Sequence, residues 1–335
     1  MTGRIYKAAV IGCGRIGSLF DEDGPADDTY THAGAFHRHD RTALVAVCDT
    51  DAGRAEEAAR HWEVAAWFTS SRTMFESAAP EIVGICTPDP LHAEHLDAAV
   101  SAPKTLGILC EKPFATVVAD GESMATRAAA RGVIVSVNHI RRFDHGHKRA
   151  VALVHDGGLG EIQSVVGRYS GGLRHNGSHM LDLLRWLFGE PASVAAEDRL
   201  GEGGEDPSLD VTLRYDGGLQ VAMLGHRAEA FHIFELDVVG TTGRLRFEAA
   251  GHSIRHEKIG ESARWRGVRE LGAGHALSTA MRDTTYHAVD DLIAALDGTR
   301  PHPACTAGDG LAAIVLAQRA LDAARAAPVE RGAQA

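Results

Sequence analysis

The 335-residue chain lacks several features that would place it in a specialised class of proteins. Its formal net charge is −11 at pH 7, so it has no excess of positive charge with which to bind nucleic acid or an anionic membrane surface. No apolar run approaches the ~18 residues that a membrane-spanning helix needs. The nineteen histidines show no zinc-binding spacing, and no internal repeat is present. The composition therefore indicates an ordinary soluble globular protein without a metal site.

Cysteine is scarce as well, and its spacing argues against disulfide bonds. The five cysteines include no Cys-x-x-Cys pair, and four of them lie within or at the ends of predicted strands. This pattern is typical of small buried hydrophobic residues in a reducing compartment. Arg4 and Lys7 lead directly into a glycine motif, so no secretory signal peptide is predicted. We therefore expect a cytoplasmic location.

The chain is organised around residues 7–17, KAAVIGCGRIG. An apolar run at 8–11 is typical of a strand buried on both faces. It leads into GCGRIG at 12–17, which matches G-x-G-x-x-G, a pattern that lets a turn and the following helix approach a pyrophosphate. The alternative is an ordinary glycine-rich turn. A second strand at 43–48 ends in Asp49, whose carboxylate can accept both ribose hydroxyls of an adenosine, which favours a dinucleotide site.

Strands and helices alternate over the N-terminal part of the chain, with further strands predicted at 65–68, 81–86, 105–110 and 133–137. This alternation predicts right-handed crossovers and a parallel, doubly wound α/β sheet. Ligands of such sheets bind at the carboxyl ends of the strands. The glycine or polar residues at these strand ends are Gly12, Asp49, Thr87, Lys112 and Asn138.

An acidic segment at 20–30 interrupts the first crossover. It is predicted to be a solvated insertion, or alternatively a cap over the site. Its five carboxylates would repel a pyrophosphate, so we expect it to point away from the phosphates.

The pattern changes after about residue 140. Six strand-like runs follow, at 162–170, 193–200, 209–215, 219–224, 234–239 and 244–247. Because short turns join them, they predict an antiparallel sheet. Two helices are predicted at about 278–296 and 308–326, and the tail at 328–335 is predicted to fray. We therefore predict two domains: residues 1–140, which bind a dinucleotide, and residues 141–335, an α+β domain.

Lys112 is the strongest candidate for a catalytic residue. It ends a buried strand at the ligand edge, and Pro113 keeps the backbone of Lys112 extended. Beside a nicotinamide cation, like charge and partial desolvation should lower the pKa of this lysine, which could then donate a hydrogen bond to a substrate oxygen. The alternative is a surface lysine paired with Glu111.

A second candidate group lies in the C-terminal half, at the start of a predicted buried helix around residues 180–188. His179 lies in the first turn and His175 just before the helix. A neutral imidazole at His179 could accept the proton of a hydroxyl as hydride leaves. The alternatives are a structural histidine bonded to a carbonyl and a metal pair, for which no third ligand follows the spacing.

Other positions have two interpretations each. His92 follows the turn at Thr87 and Pro88, and it could contact the ribose or phosphate of a cofactor or cap the next helix. Arg141 and Arg142 could bind a substrate phosphate or carboxylate, or form a structural pair between the domains.

Together these residues resemble the Gfo/Idh/MocA family. The matching segments, in family order, are GCGRIG at 12–17, CD at 48–49, TPDPLH at 87–92, EKP at 111–113, RRF at 141–143 and GSHMLD at 177–182. The resemblance implies a Rossmann domain and a C-terminal, mostly antiparallel open sheet that binds substrate and forms a homo-oligomer, a dimer or a tetramer. It also implies reversible oxidation of a sugar or cyclitol hydroxyl with NAD or NADP, with Lys112 and His179 as the catalytic pair. Members often carry aspartate four residues before that histidine, where this chain has His175.

The predicted activity is that of an NAD(P)-dependent dehydrogenase acting on a secondary hydroxyl of a sugar, nucleotide sugar or cyclitol. A dinucleotide- and sugar-sensing protein without catalysis, and an NAD-dependent hydrolase or lyase, are the alternatives. NAD is favoured over NADP because Asp49 would repel a 2′-phosphate, although Thr50 and Arg54 could favour one. The predicted catalytic residues are Lys112, His179 and His175. The predicted cofactor contacts are Gly12, Gly14, Arg15, Ile16, Gly17, Asp49, Thr87, Pro88, His92 and Glu111. The predicted substrate contacts are Lys112, Asn138, Arg142, His175, Asn176 and His179.

Overall fold

A computed structural model describes residues 3–22 and 28–326 of the chain. These residues form two compact units: the first contains the chain up to Asp144 together with Ala280–Ile314, and the second contains His145–Thr279 together with the chain from Val315. The sequence-based division at 140/141 assigns residues 280–314 to the second domain, whereas here they pack in the first unit. The roles of the two domains, in dinucleotide and in substrate binding, stay a prediction.

The first unit is built on a parallel sheet, as the sequence predicts. Its described strands, in the order β3-β2-β1-β4-β5-β6, are all paired in parallel. The strands are β1 (Tyr6–Ile11), β2 (Thr42–Cys48), β3 (Ala66–Phe68), β4 (Ile82–Ile85), β5 (Gly107–Cys110) and β6 (Ile134–Val137). The strand order reverses between β1 and β4, which is where a doubly wound sheet binds its ligands.

Helices cover this sheet: α1 (Phe20–Glu22), α2 (His32–Arg38), α3 (Ala52–His61), α4 (Ser71–Ala78), α5 (His92–Ser101), α6 (Val118–Arg131) and α9 (Thr284–Leu296). Helix α9 comes from the C-terminal part of the chain, but its apolar face packs in the core of the first unit. Leu292 and Leu296 of α9 pack closely against Gly107 of β5, and Leu292 is fully buried.

The glycine motif leads into a π-helical turn, Arg15–Leu19, which α1 extends by three residues. Residues 23–27 of the acidic segment lie outside the described residues, so the prediction that this segment points away from the phosphates is not addressed there. At the two ends of the segment, Asp21 and Asp28 are both buried.

The second unit is built on a mostly antiparallel sheet, as predicted. Its order is β14-β13-β12-β11-β7-β10-β9-β8, with β15 paired to β13. Among the described strands of this second sheet, only β10 and β7 pair in parallel. The strands are β7 (Ile162–Ser170), β8 (Ser193–Glu197), β9 (Asp210–Arg214), β10 (Gln220–His226), β11 (Phe234–Gly240), β12 (Gly243–Glu248), β13 (Ser253–Glu261), β14 (Arg269–Leu271) and β15 (His275–Leu277).

One face of this sheet forms a core with three helices. Alternate residues of β11, namely Phe234, Leu236 and Val238, are buried, as period-two alternation requires. The helices that contribute to this core are α7 (His145–His155), α8 (Ser178–Phe188) and the later part of α10 (Ala307–Ala326), whose residues up to Ile314 belong to the first unit.

Two further findings concern the described residues alone. None of their helices is long and apolar enough to cross a membrane. Within 3–22 and 28–326, no group of three or more histidine, cysteine, aspartate or glutamate side chains could hold a metal ion. The tail at 328–335 that was predicted to fray lies outside the described residues.

Candidate active site

The residues predicted at the strand ends of the first unit lie along one edge of its sheet, because parallel strands end on the same side. Backbone hydrogen bonds continue the ladder into this edge. The amide of Gly12 donates to Cys48 O at 2.7 Å, that of Glu111 to Ile85 O at 2.9 Å, and that of Asn138 to Cys110 O at 2.7 Å. The segments after β1, β5 and β6 are therefore held in fixed register with their neighbours.

The glycine turn has the backbone that a dinucleotide requires. Gly12 has φ of +93°, and a Cβ there would lie 2.7 Å from the carbonyl carbon of Cys86. A Cβ on Gly17 would overlap the carbonyl oxygen of Gly12, so the third glycine lets the helical turn pack on the first. At Gly14, by contrast, no described heavy atom lies within 4 Å of the Cβ position. The Cβ position of Gly14 therefore faces open space, and the predicted contact of this turn with a pyrophosphate stays a prediction.

Asp49 is fixed at the base of this turn. Its side chain is nearly buried, with Oδ2 accepting from Cys13 N at 2.9 Å and Oδ1 accepting from Asp51 N at 2.9 Å. Nη1 of Arg54 lies 3.4 Å from Oδ2. A carboxylate has about four lone-pair sites, so Asp49 retains the capacity to accept a ribose hydroxyl. A carboxylate at this position fits the ribose of NAD, and the guanidinium of Arg54 lies beside it.

The side chain of His92 contacts two backbone carbonyl oxygens, an arrangement that the sequence did not predict. Its Nδ1 lies 2.7 Å from Pro113 O and its Nε2 lies 2.8 Å from Thr87 O. Both partners are carbonyl oxygens, which only accept, and the ring is fully buried. Because each ring nitrogen lies within hydrogen-bonding distance of a carbonyl oxygen, the histidine joins the turn after β4 to the segment after β5, and its predicted contact with the cofactor stays a prediction.

Two polar atoms at this edge have unsatisfied hydrogen-bonding capacity. Thr87 Oγ1 is buried, and no described residue offers it a hydrogen-bond partner. Asn138 Oδ1 is also buried without a hydrogen-bond partner among the described residues, although Nδ2 of this residue donates to Glu111 Oε1. Buried polar groups are normally hydrogen-bonded, so both oxygens are candidates for contact with a bound ligand. Pro88, also predicted to contact the cofactor, lies between Thr87 and a short 3-10 turn, Asp89–Leu91.

Lys112 lies at the end of β5, as predicted, and is partly buried. The peptide bond between Lys112 and Pro113 is cis. The backbone N of Lys112 lies 3.3 Å from Oε2 of Glu111. Burial alone would raise the pKa of the Glu111 carboxyl, but hydrogen bonds from His32 and Asn138, together with the charge of Lys112, hold this pKa below its ordinary value.

His32 also lies at this edge, in contact with Glu111, and no sequence pattern predicts it. Its Nε2 lies 3.0 Å from Glu111 Oε1, although the two residues are 79 positions apart. No periodicity connects a histidine at the start of one helix to a glutamate after a distant strand. The side chain of Glu111 is engaged by His32 and Asn138, and its predicted contact with the cofactor stays a prediction.

Arg142 has structural partners within the first unit. Its Nη1 donates to Ala304 O at 3.2 Å, and its Nη2 lies 3.1 Å from Asp309 Oδ1. The guanidinium is nearly buried, and so is the neighbouring Arg141. These contacts favour the structural interpretation of Arg142, within one unit rather than between two, and substrate binding by this residue stays a prediction.

In the second unit, His175 lies within a helical segment rather than just before it. A π-helical turn, Gly172–Gly177, continues directly into α8. Residues four positions apart on a helix share a face, so His175 and His179 lie on the same side. His175 is exposed and His179 is partly buried.

Asp206 holds the start of this helical segment. Its Oδ1 accepts from Arg174 N at 2.6 Å and its Oδ2 accepts from His175 N at 3.0 Å. Asn176 donates from Nδ2 to Ser170 O at 3.0 Å. The carboxylate of Asp206 therefore fixes the backbone from which the His175 side chain projects.

Comparison with known proteins adds independent information. Residues 6–139 match an oxidoreductase family with an NAD-binding Rossmann fold, GFO_IDH_MocA, and residues 167–246 match the GFO/IDH/MocA C-terminal domain. The D-apiose dehydrogenase of Paraburkholderia graminis is 26% identical over 283 residues, which cover 77% of this chain and 72% of that protein. The inositol 2-dehydrogenase of Rhizobium meliloti is 27% identical over 346 residues, which cover 94% of this chain and 96% of that protein.

A solved structure shares the fold over nearly the whole chain. It is an oxidoreductase from Agrobacterium radiobacter in complex with NAD⁺, L-tartaric acid and magnesium. It superposes with a TM-score of 0.76 at 18% identity, and 96% of each chain is covered. At this identity the likeness establishes the fold alone.

Proposed function

Because the chain belongs to the GFO/IDH/MocA family of oxidoreductases, whose N-terminal domain is an NAD-binding Rossmann fold, we propose that it oxidises a secondary hydroxyl of a sugar, nucleotide sugar or cyclitol. The observation that carries this proposal is the position of Lys112, at the same sheet edge as the glycine turn and Asp49. The sugar and inositol dehydrogenases among the relatives support a polyhydroxylated substrate.

The residues at this edge have distinct proposed roles in binding. The backbone of residues 12–17, including Arg15 and Ile16, holds the pyrophosphate, and Asp49 accepts hydrogen bonds from the adenosine ribose. The buried hydroxyl of Thr87 is available to a ligand at the same edge. When bound, NAD supplies the acceptor for hydride.

Lys112 and His179 would share the proton chemistry. His179 accepts the proton of the substrate hydroxyl, and Lys112 donates a hydrogen bond to the same oxygen as its charge changes. Lys112 is partly buried beside an ionised Glu111, which supports an ammonium donor at this position. We propose Asn138, Arg142, His175 and Asn176 as the residues that orient the remaining hydroxyls.

Two further proposals concern the protein's state in the cell. The second unit's open sheet would form a homodimer or homotetramer, which size-exclusion chromatography with light scattering measures directly. The protein would act in the cytoplasm, because its five cysteines are buried thiols rather than disulfides, as a reducing compartment favours.

The proposed activity is tested by following NADH formation when the purified protein is incubated with NAD⁺ and a panel of inositols, aldoses and nucleotide sugars. We expect steady NAD⁺ reduction with at least one polyol of the panel. Binding of NADH without turnover of any polyol would favour a sensor. Release of an eliminated or hydrolysed product without net NADH would favour a hydrolase or lyase.

A further inference from the structure

A buried polar cluster beside Lys112 joins three segments that are distant in sequence. His32 begins α2, Glu111 follows β5 and Asn138 follows β6, and their relative exposures are 0%, 8% and 1%. His32 Nε2 lies 3.0 Å from Glu111 Oε1, and Asn138 Nδ2 lies 2.7 Å from the same oxygen. One carboxylate oxygen therefore has two side-chain partners, while the other faces the amide of Lys112 at 3.3 Å.

The chemistry of the cluster fixes the tautomer of His32. An ionised carboxylate only accepts hydrogen bonds, so Nε2 of the imidazole must carry a proton. Nδ1 has no hydrogen-bond partner among the described residues and lies against Gly84 of β4. A Cβ at Gly84 would lie 2.7 Å from Nδ1, so the glycine in this strand is what allows the ring to reach Glu111.

Hydrogen bonds made by the residues that precede His32 also fix its position. Asp21 accepts hydrogen bonds from Tyr30 N at 2.8 Å, from Thr31 N at 2.9 Å and from Thr31 Oγ1 at 2.6 Å. Thr31 Oγ1 in turn accepts from Gly34 N at 3.0 Å and caps α2. The N-terminus of α2 is therefore tied to the helical turn that follows the glycine motif, and His32 is the first residue beyond this tie.

We propose that His32 is a positioning residue: by donating to Glu111, it holds a negative charge beside Lys112 and so sets the pH range over which this lysine keeps its proton. The inference rests on the proposed function, because it assumes that the ammonium of Lys112 serves the reaction. A bound nicotinamide cation would favour loss of that proton, and the Glu111 carboxylate opposes this effect.

Few other groups near Glu111 can change its charge balance. The titratable residues that face it are His32 on α2, Lys112 beside it, Cys110 at the end of β5, and Cys86 after β4. Burial, reinforced by the charge of Glu111, raises the pKa of both thiols well above the ordinary value, so they stay neutral. Lys112 is therefore the cation beside Glu111, and His32 and Asn138 are its side-chain hydrogen-bond donors.

Three variants separate this role from simple packing. His32→Leu fills the space but removes the donor, and His32→Gln replaces the donor at a similar reach. His37→Leu is the matched control, because His37 is exposed on the same helix. If His32→Leu does not fold, His32→Asn serves instead, because its shorter amide does not reach Oε1.

The first measurement is a carboxyl ¹³C NMR titration of the full-length protein labelled at glutamate, with Glu111→Gln to assign the signal. We expect His32→Leu to raise the pKa of Glu111 by about one unit or more, and His32→Gln and His37→Leu to leave it near the wild-type value. An unmoved Glu111 titration in both His32→Leu and His32→Asn would overturn the inference.

The second measurement is the pH profile of kcat/KM with NAD⁺ and the best polyol of the panel. In His32→Leu we expect the basic limb to move to lower pH by roughly one unit, because the Glu111 carboxylate, although still ionised at that pH, is no longer held beside Lys112, and in His32→Gln we expect the limb to return. A lower kcat/KM with an unmoved basic limb would mean that His32 only packs, and would overturn the inference. Wild-type turnover by Lys112→Ala would instead overturn the proposed function, which keeps the two failures distinct.

Discussion

The carboxylate of Asp49 accepts a hydrogen bond from the backbone N–H of Cys13, with 2.9 Å between Oδ2 and N. This contact joins the end of β2 to the middle of the glycine turn. It fixes the position at which a negative charge meets the adenosine ribose, and it makes the choice of cofactor a testable property of one side chain.

We expect the protein to prefer NAD over NADP, because the negative charge of Asp49 repels a 2′-phosphate. Asp49→Ala should lower kcat/KM for NAD by roughly tenfold or more, the scale of a lost hydrogen bond to a charged group. It should also reduce the ratio of kcat/KM for NAD to that for NADP. Glu56→Ala, an exposed position on the following helix, is the control. A wild-type preference for NADP would mean that Arg54, not Asp49, determines the choice.

Substitution by alanine should affect stability at Gly17 and NADH binding at Gly14. In Gly17→Ala the new Cβ overlaps the carbonyl oxygen of Gly12, so the melting temperature should fall by several degrees or the protein should fail to fold. In Gly14→Ala the methyl group enters open space, so the melting temperature should hold while the Kd for NADH rises by about tenfold or more. Unchanged NADH binding by Gly14→Ala would exclude the pyrophosphate from this position.

The thiols at the sheet edge should be unreactive in the folded protein. Burial, and then the charge of Asp49, raise the pKa of Cys13 to about 12 and that of Cys48 to about 11. Because the thiolate is the reactive form, neither residue should be alkylated by iodoacetamide at pH 8, whereas all five cysteines should react in guanidinium. Mass spectrometry of the labelled protein decides this, and rapid native labelling of Cys13 would show that the glycine turn opens.

His175 precedes His179 by four residues, on the same helical face. A carboxylate there favours a protonated imidazole on its neighbour, so His175→Asp should move the acid limb of kcat/KM to higher pH. His175→Asn, which adds no charge, should leave that limb in place. If both variants keep activity with an unmoved acid limb, His175 acts only through the backbone contact with Asp206.

The sequence predicts the parallel sheet and its ligand edge because both depend on local patterns: short apolar strands, and glycine or polar residues where they end. It does not reveal which sheet α9 covers, because the apolar face of a helix carries no information about its partner. The polar strands β13, β14 and β15 were not predicted, because their residues show little hydrophobic alternation.

The same distinction between local patterns and tertiary packing applies to the candidate site. Asp49 and Lys112 could be predicted because Asp49 directly follows β2 and Lys112 comes just after the end of β5. The contact between His32 and Glu111 could not, because it depends on Gly84 admitting an imidazole over β4 and on Asp21 fixing the start of α2. Both conditions arise from tertiary packing and leave no periodic signal in the chain.

The most direct test of the account is the turnover of Lys112→Ala, measured as NADH formation with saturating NAD⁺ and polyol, alongside the Kd for NADH. We expect kcat to fall by roughly 10²-fold or more, the scale of a lost acid–base group, while NADH binding stays near the wild-type value. A kcat close to that of the wild type, with NADH binding intact, would contradict the assignment of Lys112 and with it the proposed chemistry.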